Sequence, residues 1–373
     1  MRNQKLLIAS KNYTEIESYL IEKNIHKFML VCSNAFSMLN IHSYFDELTE
    51  RTGIDFVTFN EFQPNPLYES VVKGVEIFRK EKCQALIAVG GGSAIDVAKC
   101  IKMYANMNPT VNYLEQTIVP NDIEFLAVPT TAGTGSEATR YAVIYYKGEK
   151  QSISDYSCIP SVVLFDVSTL KSLPLYQKKS TMMDALCHAI ESFWSVNSNN
   201  KSIFYSQEAI KLILNNKNGY LANEEIGNYN MLRAANFAGK AINITQTTAG
   251  HAMSYKLTSL YGIAHGHAVA LCVSKLFPYM VTHSHNCIDP RGEDYLNDVF
   301  KKIASAMGCQ TVMTAVEKVE KIVAELEFEV PVANETDYAI LVESVNPVRL
   351  KNNPVILDKQ TINILYHEIL KRK

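Results

Sequence analysis

The sequence lacks any paired-cysteine motif. Its eight cysteines, at positions 32, 83, 100, 158, 187, 272, 287 and 309, contain no CxxC pair and follow no regular spacing. Neither a disulfide framework nor a thiolate zinc cluster is therefore expected. A reducing, cytoplasmic setting follows as the default expectation.

Long apolar runs and a strong charge bias are also missing. No apolar run is long enough to span a bilayer, and the start MRNQKLLIASKNYTEI lacks the apolar core and cleavage site of a signal peptide. The formal net charge is −2, and Lys and Arg are scattered along the chain. We therefore expect no membrane and no nucleic-acid partner, but a small-molecule ligand.

At 373 residues, the chain exceeds the size of a single hydrophobic core, so two domains are expected. Residues 1–178 alternate strand-like runs (27–32, 54–59 and 85–89) with helical spacing (37–52 and 66–80), which predicts an α/β domain with a parallel sheet. Residues 179–373 predict an all-helical second domain. Its helices are expected at 182–194, 203–214, 229–241, 267–281, 295–307, 311–326 and 336–344.

Two small-residue loops in the first domain predict a nucleotide site. In VGGGSAIDVAK, the run Gly90, Gly91, Gly92 and Ser93 follows a strand and opens a helix that carries Asp96, so a phosphate could approach the helix N-terminus. The alternative is a tight turn.

In PTTAGTGSEAT, the hydroxyl residues Thr130, Thr131, Thr134 and Ser136 alternate with glycine and suit a loop around a polar ligand. The alternative is a turn into a capped helix, with Glu137 three residues after Thr134. Two such loops at strand ends in one domain favour the nucleotide.

Imidazoles and a carboxylate in the second domain predict a metal site. Asp184 and His188 are one helical turn apart, so one ion could bind both. The alternatives are a capping box between Thr181 and Asp184, and a core histidine at 188. Downstream, the loop between His251 and His265 could bring both rings to one point. The alternative there is a helix start with solvent-facing histidines at 265 and 267.

The segments GGGSAIDVAK, PTTAGTGSEATRYAV, DALCHAIESFW and AGHAMSYKLTSLYGIAHGHAVA resemble, in order and spacing, the iron-containing (group III) alcohol dehydrogenases. The resemblance implies the architecture shared with dehydroquinate synthase, in which an α/β dinucleotide-binding domain precedes a helical domain and a metal lies in the cleft. It also implies NADH or NADPH, one divalent metal (Fe²⁺ or Zn²⁺), and an enzyme that we expect to be a homo-oligomer, in the simplest case a dimer.

By position, the resemblance also assigns residues. The implied metal ligands are Asp184, His188, His251 and His265. The implied cofactor contacts are Gly91, Gly92, Ser93, Asp96, Thr130, Thr131, Thr134, Ser136 and Lys150. Tyr255 stands where many members have a second histidine, so Tyr255, His267 or a water chain is expected to carry the proton. Ser33 stands where NAD-preferring members are acidic, which slightly favours NADPH.

A narrower resemblance, at 191–198, 238–245 and 265–267, is to phosphonoacetaldehyde reductases, which make 2-hydroxyethylphosphonate. A phosphonate requires cations and hydroxyls; the candidates are Arg140, Lys240, Asn243, Thr245 and Lys256. The sequence thus predicts metal-dependent reduction of a small aldehyde, with phosphonoacetaldehyde as the favoured substrate. The alternatives are a general short-chain alcohol or semialdehyde dehydrogenase, a related lyase or glycerol-1-phosphate dehydrogenase, and a non-catalytic protein that binds metal and nucleotide.

Overall fold

A computed structural model describes residues 4–372 and divides the chain into two compact units, Met1–Leu173 and Pro174–Lys373. The sequence prediction put the boundary between residues 178 and 179, which lies inside the first helix of the second unit. That helix begins at Leu175, directly after Pro174. Proline favours the start of a helix, whereas the polar residues at 177–180 resemble a linker when only the sequence is considered.

The first unit is built on a six-stranded parallel sheet in the order β1-β8-β5-β4-β2-β3, with a separate β6-β7 hairpin. Its strands are β1 (Lys5–Ile8), β2 (Lys27–Cys32), β3 (Asp55–Phe59), β4 (Ala85–Gly90), β5 (Glu124–Pro129), β6 (Tyr141–Tyr146), β7 (Glu149–Ser154) and β8 (Val162–Phe165). Its helices are α1 (Thr14–Glu22), α2 (Ile41–Thr52), α3 (Tyr68–Lys80) and α4 (Gly92–Tyr104). The predicted α/β architecture is confirmed.

Both faces of this sheet are covered. Alternate residues of the central strands belong to two apolar clusters: Leu86 and Ala88 of β4 share one with Val75 and Ile101, and Ile87 shares the other with helices α1 and α2. Because both faces are buried, the central strands are continuously apolar rather than alternating. This explains why β2 and β4 could be predicted from the sequence.

The order of the strands reverses between β2 and β4. From β2 the chain continues outward to β3, whereas from β4 it continues to β5 and β8 on the other side. Ligands of such sheets bind outside the carboxyl ends of the strands at this reversal. The loop that follows β4, with the three glycines, begins there.

The second unit is helical, apart from a two-stranded parallel pair of β9 (Val332–Ala333) and β10 (Lys371–Arg372). Its helices are α5 (Leu175–Trp194), α6 (Asn200–Leu221), α7 (Glu225–Thr245), α8 (Ala249–Tyr261), α9 (His265–Thr282), α10 (Glu293–Ala306), α11 (Val312–Glu325), α12 (Glu335–Ser344), α13 (Pro347–Leu350) and α14 (Lys359–Ile369). Every residue of α5 from Met182 to Trp194 is buried. Among residues 4–372, no helix combines the length and the apolar character that crossing a membrane requires.

Helix α9 begins against the backbone of α5. The preceding helix, α8, ends at Gly262, whose φ of 67° suits a glycine C-cap. At Gly266, an added Cβ would lie 2.0 Å from the carbonyl oxygen of Ser180 and 2.8 Å from Cβ of Asp184. A residue without a side chain is therefore required at 266, and it brings its neighbour His265 close to Asp184.

We predict that Gly266→Ala separates α9 from α5 and displaces His265. Overpacking of this kind costs about 1–3 kcal/mol, and we expect both a lower melting temperature and the loss of bound divalent metal, measured by elemental analysis. Gly262→Ala is the matched control, because its Cβ would meet nothing within 4 Å. The Gly262→Ala variant should be less stable only because alanine is disfavoured in the left-handed backbone conformation at this position, and it should retain the metal. Full metal content in Gly266→Ala would contradict the prediction.

Candidate metal centre and cofactor loops

Helix α5 supplies the first two candidate ligands. Asp184 and His188 are 3% and 6% exposed, and Oδ1 of Asp184 lies 3.9 Å from Nε2 of His188. The capping-box alternative for Asp184 is wrong, because α5 begins at Leu175 and the Thr181 hydroxyl donates to the carbonyl of Gln177 at 2.8 Å. Asp184 is therefore a buried carboxylate in the middle of a helix.

Helix α8 brings His251 to the same point. Its Nε2 lies 3.4 Å from Oδ1 of Asp184, and its ring stacks on His188 with centroids 4.3 Å apart. One ligand atom from each of the three residues lies within 4.8 Å of the others. Oδ1 of Asp184 and Nε2 of His251 are buried without a hydrogen-bond partner among the described residues. Two imidazoles and a carboxylate with unsatisfied lone pairs suit a divalent metal.

His265 lies beside this cluster as the first residue of α9. It is half-buried, and its ring centroid is 5.5 Å from that of His251, at an angle of 66°. Tyr255 stacks on His265 with centroids 5.4 Å apart and planes 6° apart. The structure thus places the fourth expected ligand and the expected proton donor next to the other three ligands. Their roles remain predictions.

Glu191 is a member of the site that sequence reasoning missed. It is completely buried on α5; one carboxylate oxygen pairs with Nδ1 of His251, and the other accepts from the amide and hydroxyl of Thr248 at 3.1 and 2.6 Å and from the amide of His251 at 3.3 Å. A carboxylate that receives Nδ1–H fixes the tautomer and leaves Nε2 free to bind a metal. A signal was present, because a lone acid three residues after His188 interrupts an apolar helix.

The charges of the cluster favour a cation. Burial alone raises the pKa of a carboxyl group, yet the pKa of Asp184 is held well below its ordinary value by His188 and the other imidazoles. Burial lowers the pKa of an imidazole, but Glu191 and then Asp184 outweigh it and raise the pKa of His251 to about 10. Two buried carboxylates therefore stabilise positive charge at this point, which a divalent ion supplies.

His267 is an interior residue, so the solvent-facing alternative is wrong for it. It is 1% exposed, its ring stacks on Phe328 at 4.3 Å, and its Nδ1 pairs with the Tyr176 hydroxyl at 3.0 Å. The same hydroxyl accepts from the amide of Ala264 at 3.0 Å. Burial lowers the pKa of His267. These contacts hold the start of α9, and a catalytic role for His267 stays a prediction.

Three of the substrate candidates of the second unit lie on α7 and the fourth lies on α8. Thr245 is fully buried, and its hydroxyl lies 2.9 Å from that of Ser192 and 2.8 Å from the carbonyl of Gln246. Asn243 is also buried, Lys240 lies 5.8 Å from the Phe237 ring, and Lys256 is half-exposed on α8. The hydroxyl of Thr245 links α7 to α5, and this packing contact accounts for the buried position of the side chain.

Arg140, the candidate in the first unit, lies over two tyrosine rings. Its guanidinium carbon is 4.9 Å from the centre of the Tyr141 ring and 4.7 Å from that of Tyr156, and it donates to the hydroxyl of each. Its role in substrate binding stays a prediction.

The two predicted cofactor loops pack against each other. Their strands are adjacent, with Gly90 paired to Pro129, and the amide of Thr130 donates to the Gly90 carbonyl at 3.0 Å. An added Cβ at Gly91 would lie 3.2 Å from the Thr131 side chain. Glycine is needed at position 90 as well, because an added Cβ there would lie 2.5 Å from the Cβ of Ala94.

The start of α4 is open to an anionic ligand. In the part of the chain that the structure describes, no side chain caps this helix. Gly91, Gly92 and Ser93 are all partly exposed, as are Thr130, Thr131 and Thr134 of the second loop. Main-chain N–H groups at an uncapped helix start bind phosphate well. Both loops thus have the exposure that the predicted cofactor contacts require.

Asp96 and Ser136 belong to an internal network that supports the second loop. Asp96 accepts from the Ser136 hydroxyl and from the amide of Val143 at 3.0 Å, and burial raises its pKa. The fully buried Lys99, which was not predicted, donates to Ser136 at 3.1 Å and to the Tyr141 carbonyl at 2.7 Å. These contacts shape the loop, while direct cofactor contact of Asp96 and Ser136 stays a prediction. Lys150, on β7, contributes to the field at Asp96.

The capped-helix alternative for the second loop is wrong. Gly135 has a φ of 59°, and only a single 3₁₀ turn, Ser136–Ala138, follows it. Glu137 is buried, and its carbonyl accepts from the Gln4 side-chain amide at 2.6 Å. The segment is therefore a structured loop rather than a helix start.

Family models match both units. The model described as iron-containing alcohol dehydrogenase matches residues 3–167, and that of the C-terminal part of the Fe-containing alcohol dehydrogenase family matches residues 178–370. The chain belongs to the iron-containing alcohol dehydrogenase family. Enzymes of this family use NAD(P)H and a divalent metal, and Asp184, His188 and His251 form a possible metal site.

Relatives and solved structures agree with this membership. Alcohol dehydrogenase 4 of Schizosaccharomyces pombe is 31% identical over 79% of this chain and 71% of its own, and the phosphonoacetaldehyde reductase of Streptomyces viridochromogenes is 29% identical over 80% of each. The structure of sulfoacetaldehyde reductase from Bifidobacterium kashiwanohense in complex with NAD⁺ is 25% identical, with a TM-score of 0.87 over 99% of this chain and 97% of the other. The protein is an NAD-linked alcohol or aldehyde oxidoreductase of the iron-containing alcohol dehydrogenase family.

We predict that Gly92→Val weakens dinucleotide binding. An added Cβ would lie 3.1 Å from the Thr134 side chain, and two further methyl groups would push the two loops apart. Overpacking of 1–3 kcal/mol corresponds to roughly a 10-fold or greater loss of affinity, measured by fluorescence titration with NADH and NADPH. Metal content should persist, because all four candidate ligands lie in the second unit. An unchanged dinucleotide affinity would remove this loop from the cofactor site.

We predict that Glu191→Gln weakens metal binding by roughly 10- to 100-fold, the range typical for a carboxylate that orients a ligating histidine. The amide has nearly the same shape but no charge to hold Nδ1–H of His251. Competition with a chelator measures the affinity. The matched control is Glu317→Gln, an exposed change on α11, which should bind metal like the wild type. Equal affinity in both variants would show that Glu191 has no part in the site.

Proposed function

We propose that the protein reduces a small aldehyde with an anionic head group to the primary alcohol, with phosphonoacetaldehyde and 2-hydroxyethylphosphonate as substrate and product. The observation that carries the proposal is the buried cluster of Asp184, His188 and His251, in which one oxygen and one nitrogen lack hydrogen-bond partners within residues 4–372. Such atoms suit a divalent metal, which would supply Lewis-acid chemistry at this point.

Two relatives support an acidic aldehyde. Their names specify phosphonoacetaldehyde and sulfoacetaldehyde, and both are two-carbon aldehydes with an anionic head. An uncharged substrate, turned over by a general short-chain dehydrogenase, is the second candidate, because 1,3-propanediol dehydrogenase of Citrobacter freundii is 34% identical over 61% of this chain. A non-catalytic protein that binds metal and nucleotide would contain the same cluster and the same loops, and the assay below distinguishes it.

Asp184, His188, His251 and His265 would hold the metal. When bound, a divalent metal polarises a carbonyl oxygen as a Lewis acid, while a reduced nicotinamide supplies hydride. Glu191 holds the Nδ1 proton of His251, so Nε2 is the nitrogen that would bind the metal. Gly91, Gly92, Thr131 and Thr134 would bind and orient the dinucleotide.

A proton must reach the alkoxide that hydride addition creates. Tyr255 is the better placed of the two candidates, because its ring stacks directly on His265. His267 Nδ1 is already paired with the Tyr176 hydroxyl, and its ring is covered by Phe328. We therefore assign proton delivery to the Tyr255 hydroxyl and a supporting position to His267.

The proposal on the choice between NADH and NADPH rests on Ser33. It directly follows β2, at the reversal of the sheet, and its backbone nitrogen would lie 4.0 Å from a Cβ added at Gly90. A carboxylate at such a position binds the ribose hydroxyls of NAD and repels the 2′-phosphate of NADP. With serine there, we expect NADPH to be accepted at least as well as NADH.

We expect the metal-reconstituted protein to reduce phosphonoacetaldehyde with a higher kcat/KM than propanal, lactaldehyde or succinic semialdehyde, each assayed with NADH and with NADPH. A head group bound by charge-assisted hydrogen bonds gains roughly 10-fold or more over a neutral analogue. The metal-free protein and His265→Ala should be inactive.

Equal or better kcat/KM values for the uncharged aldehydes would exclude the phosphonate substrate and favour the second candidate. Metal and dinucleotide binding without turnover of any aldehyde would instead indicate the non-catalytic protein.

A further inference from the structure

We propose that Arg349, on the short helix α13, binds the anionic head group of the substrate. This inference rests on the proposed function, which it deepens by naming the residue that selects an acidic aldehyde. Arg349 replaces Lys240 and Thr245 as the leading candidate, because those two residues are positioned by contacts with α7 and α5.

Arg349 reaches the site through Tyr255. Its guanidinium carbon lies 5.1 Å from the centre of the Tyr255 ring, and the same ring stacks on His265 at 5.4 Å. The guanidinium is thus separated from a candidate metal ligand by one aromatic side chain. A two-carbon aldehyde bound beside the candidate ligands would extend only a short distance from them. A cation separated from His265 by the Tyr255 ring alone is therefore suitably placed to bind its head group.

Among residues 4–372, the guanidinium of Arg349 has no polar partner. Its side chain contacts the Tyr255 ring but makes no hydrogen bond or ion pair with any described residue, although Arg349 is half-buried. Arg291, by contrast, donates to Asp289 at 2.6 Å and to the Ser198 carbonyl at 2.7 Å. Arginine has five N–H donors in a planar fork that matches a phosphonate or sulfonate. An unpaired guanidinium next to the metal cluster therefore provides a site for such a group.

The segment that carries Arg349 is fixed at both ends. Asn346 caps α13 by accepting from the amide of Val348 at 2.9 Å. After the helix, the Asn352 side chain donates to the carbonyl of Thr247 and to the side chain of Gln246, each at 3.2 Å. Asn352 thus joins the arginine segment to the turn that starts α8, the helix of His251 and Tyr255. An anchored segment loses less conformational freedom when the anion binds.

Arginine is also better suited than the remaining lysine. Lys256 follows Tyr255 directly on α8 and is half-exposed. A lysine offers a hydrated point charge, whereas the planar guanidinium can both stack on Tyr255 and donate two parallel hydrogen bonds to one anionic group. We therefore expect the main selectivity to come from Arg349.

The test compares Arg349→Gln and Arg349→Lys with the wild type as metal-loaded holoenzymes. For Arg349→Gln, the ratio of kcat/KM for phosphonoacetaldehyde to that for propanal should fall roughly 10- to 100-fold, since charge-assisted hydrogen bonds are lost from one substrate only. Arg349→Lys should recover part of this ratio. The matched control is Lys351→Gln, which removes an exposed charge two residues away and should leave the ratio unchanged.

A second measurement does not depend on turnover. Calorimetric titration with methylphosphonate should show binding to the wild-type holoenzyme and at least roughly 10-fold weaker binding to Arg349→Gln, with equal metal content in both. If the wild type reduces no aldehyde but binds methylphosphonate through Arg349, the proposed function fails and the inference stands. Equal methylphosphonate affinity in wild type and Arg349→Gln would overturn the inference, as would a parallel loss of kcat/KM for both aldehydes or an equal effect of Lys351→Gln.

Discussion

The buried carboxylate of Glu191 is the constraint on which the metal site depends. A charge inside a helical bundle costs several kcal/mol unless donors surround it, and here all the donors come from the start of α8. The Thr248 hydroxyl, which donates to Glu191, in turn accepts from the Trp194 indole at 2.9 Å. One side chain therefore fixes both the direction in which α8 leaves its turn and the tautomer of His251.

The backbone around this carboxylate is unusual. Gln246, in the turn before Thr248, has a φ of 60° and a ψ of 179°, a region that residues other than glycine rarely occupy. Hydrogen bonds from Asn352 to Gln246 and Thr247 and from the Thr245 hydroxyl to the Gln246 carbonyl hold it there. The strained turn brings Thr248 and His251 to Glu191 without an intervening loop.

The features that could be predicted from the sequence are those that depend on local patterns of residues. Strands β2 and β4 were recognisable because both faces of the sheet are buried there, and the pairing of Asp184 with His188 was recognisable because helical spacing alone places them together. The adjacency of His251 to Asp184 required the resemblance to a family, since no local rule brings α8 to α5.

Other features could not be predicted because they depend on tertiary contacts. An acid in an apolar helix marked Glu191 as unusual, but its partners Thr248 and His251 are brought to it only by the fold. The hydroxyl contact of Thr245 with Ser192, which joins α7 to α5, could not be foreseen, and its role in substrate binding stays a prediction. Arg349 lies far along the chain from Tyr255, and only the fold brings the two together. Strand β1, at the edge of the sheet, was missed because it has four residues and mixed exposure.

The close approach at Gly266 has a consequence for how this site can vary. Because the close contact with the Ser180 carbonyl sets where α9 begins, the position of His265 is determined by two helix backbones together with the hydrogen bond from the Ala264 amide to Tyr176. The side chains at 262 and 263 could change while the imidazole stayed in place. The functional unit at the start of α9 is therefore the dipeptide His265-Gly266. The histidine supplies a candidate ligand nitrogen, and the glycine, which has no side chain, allows that histidine to lie close to Asp184.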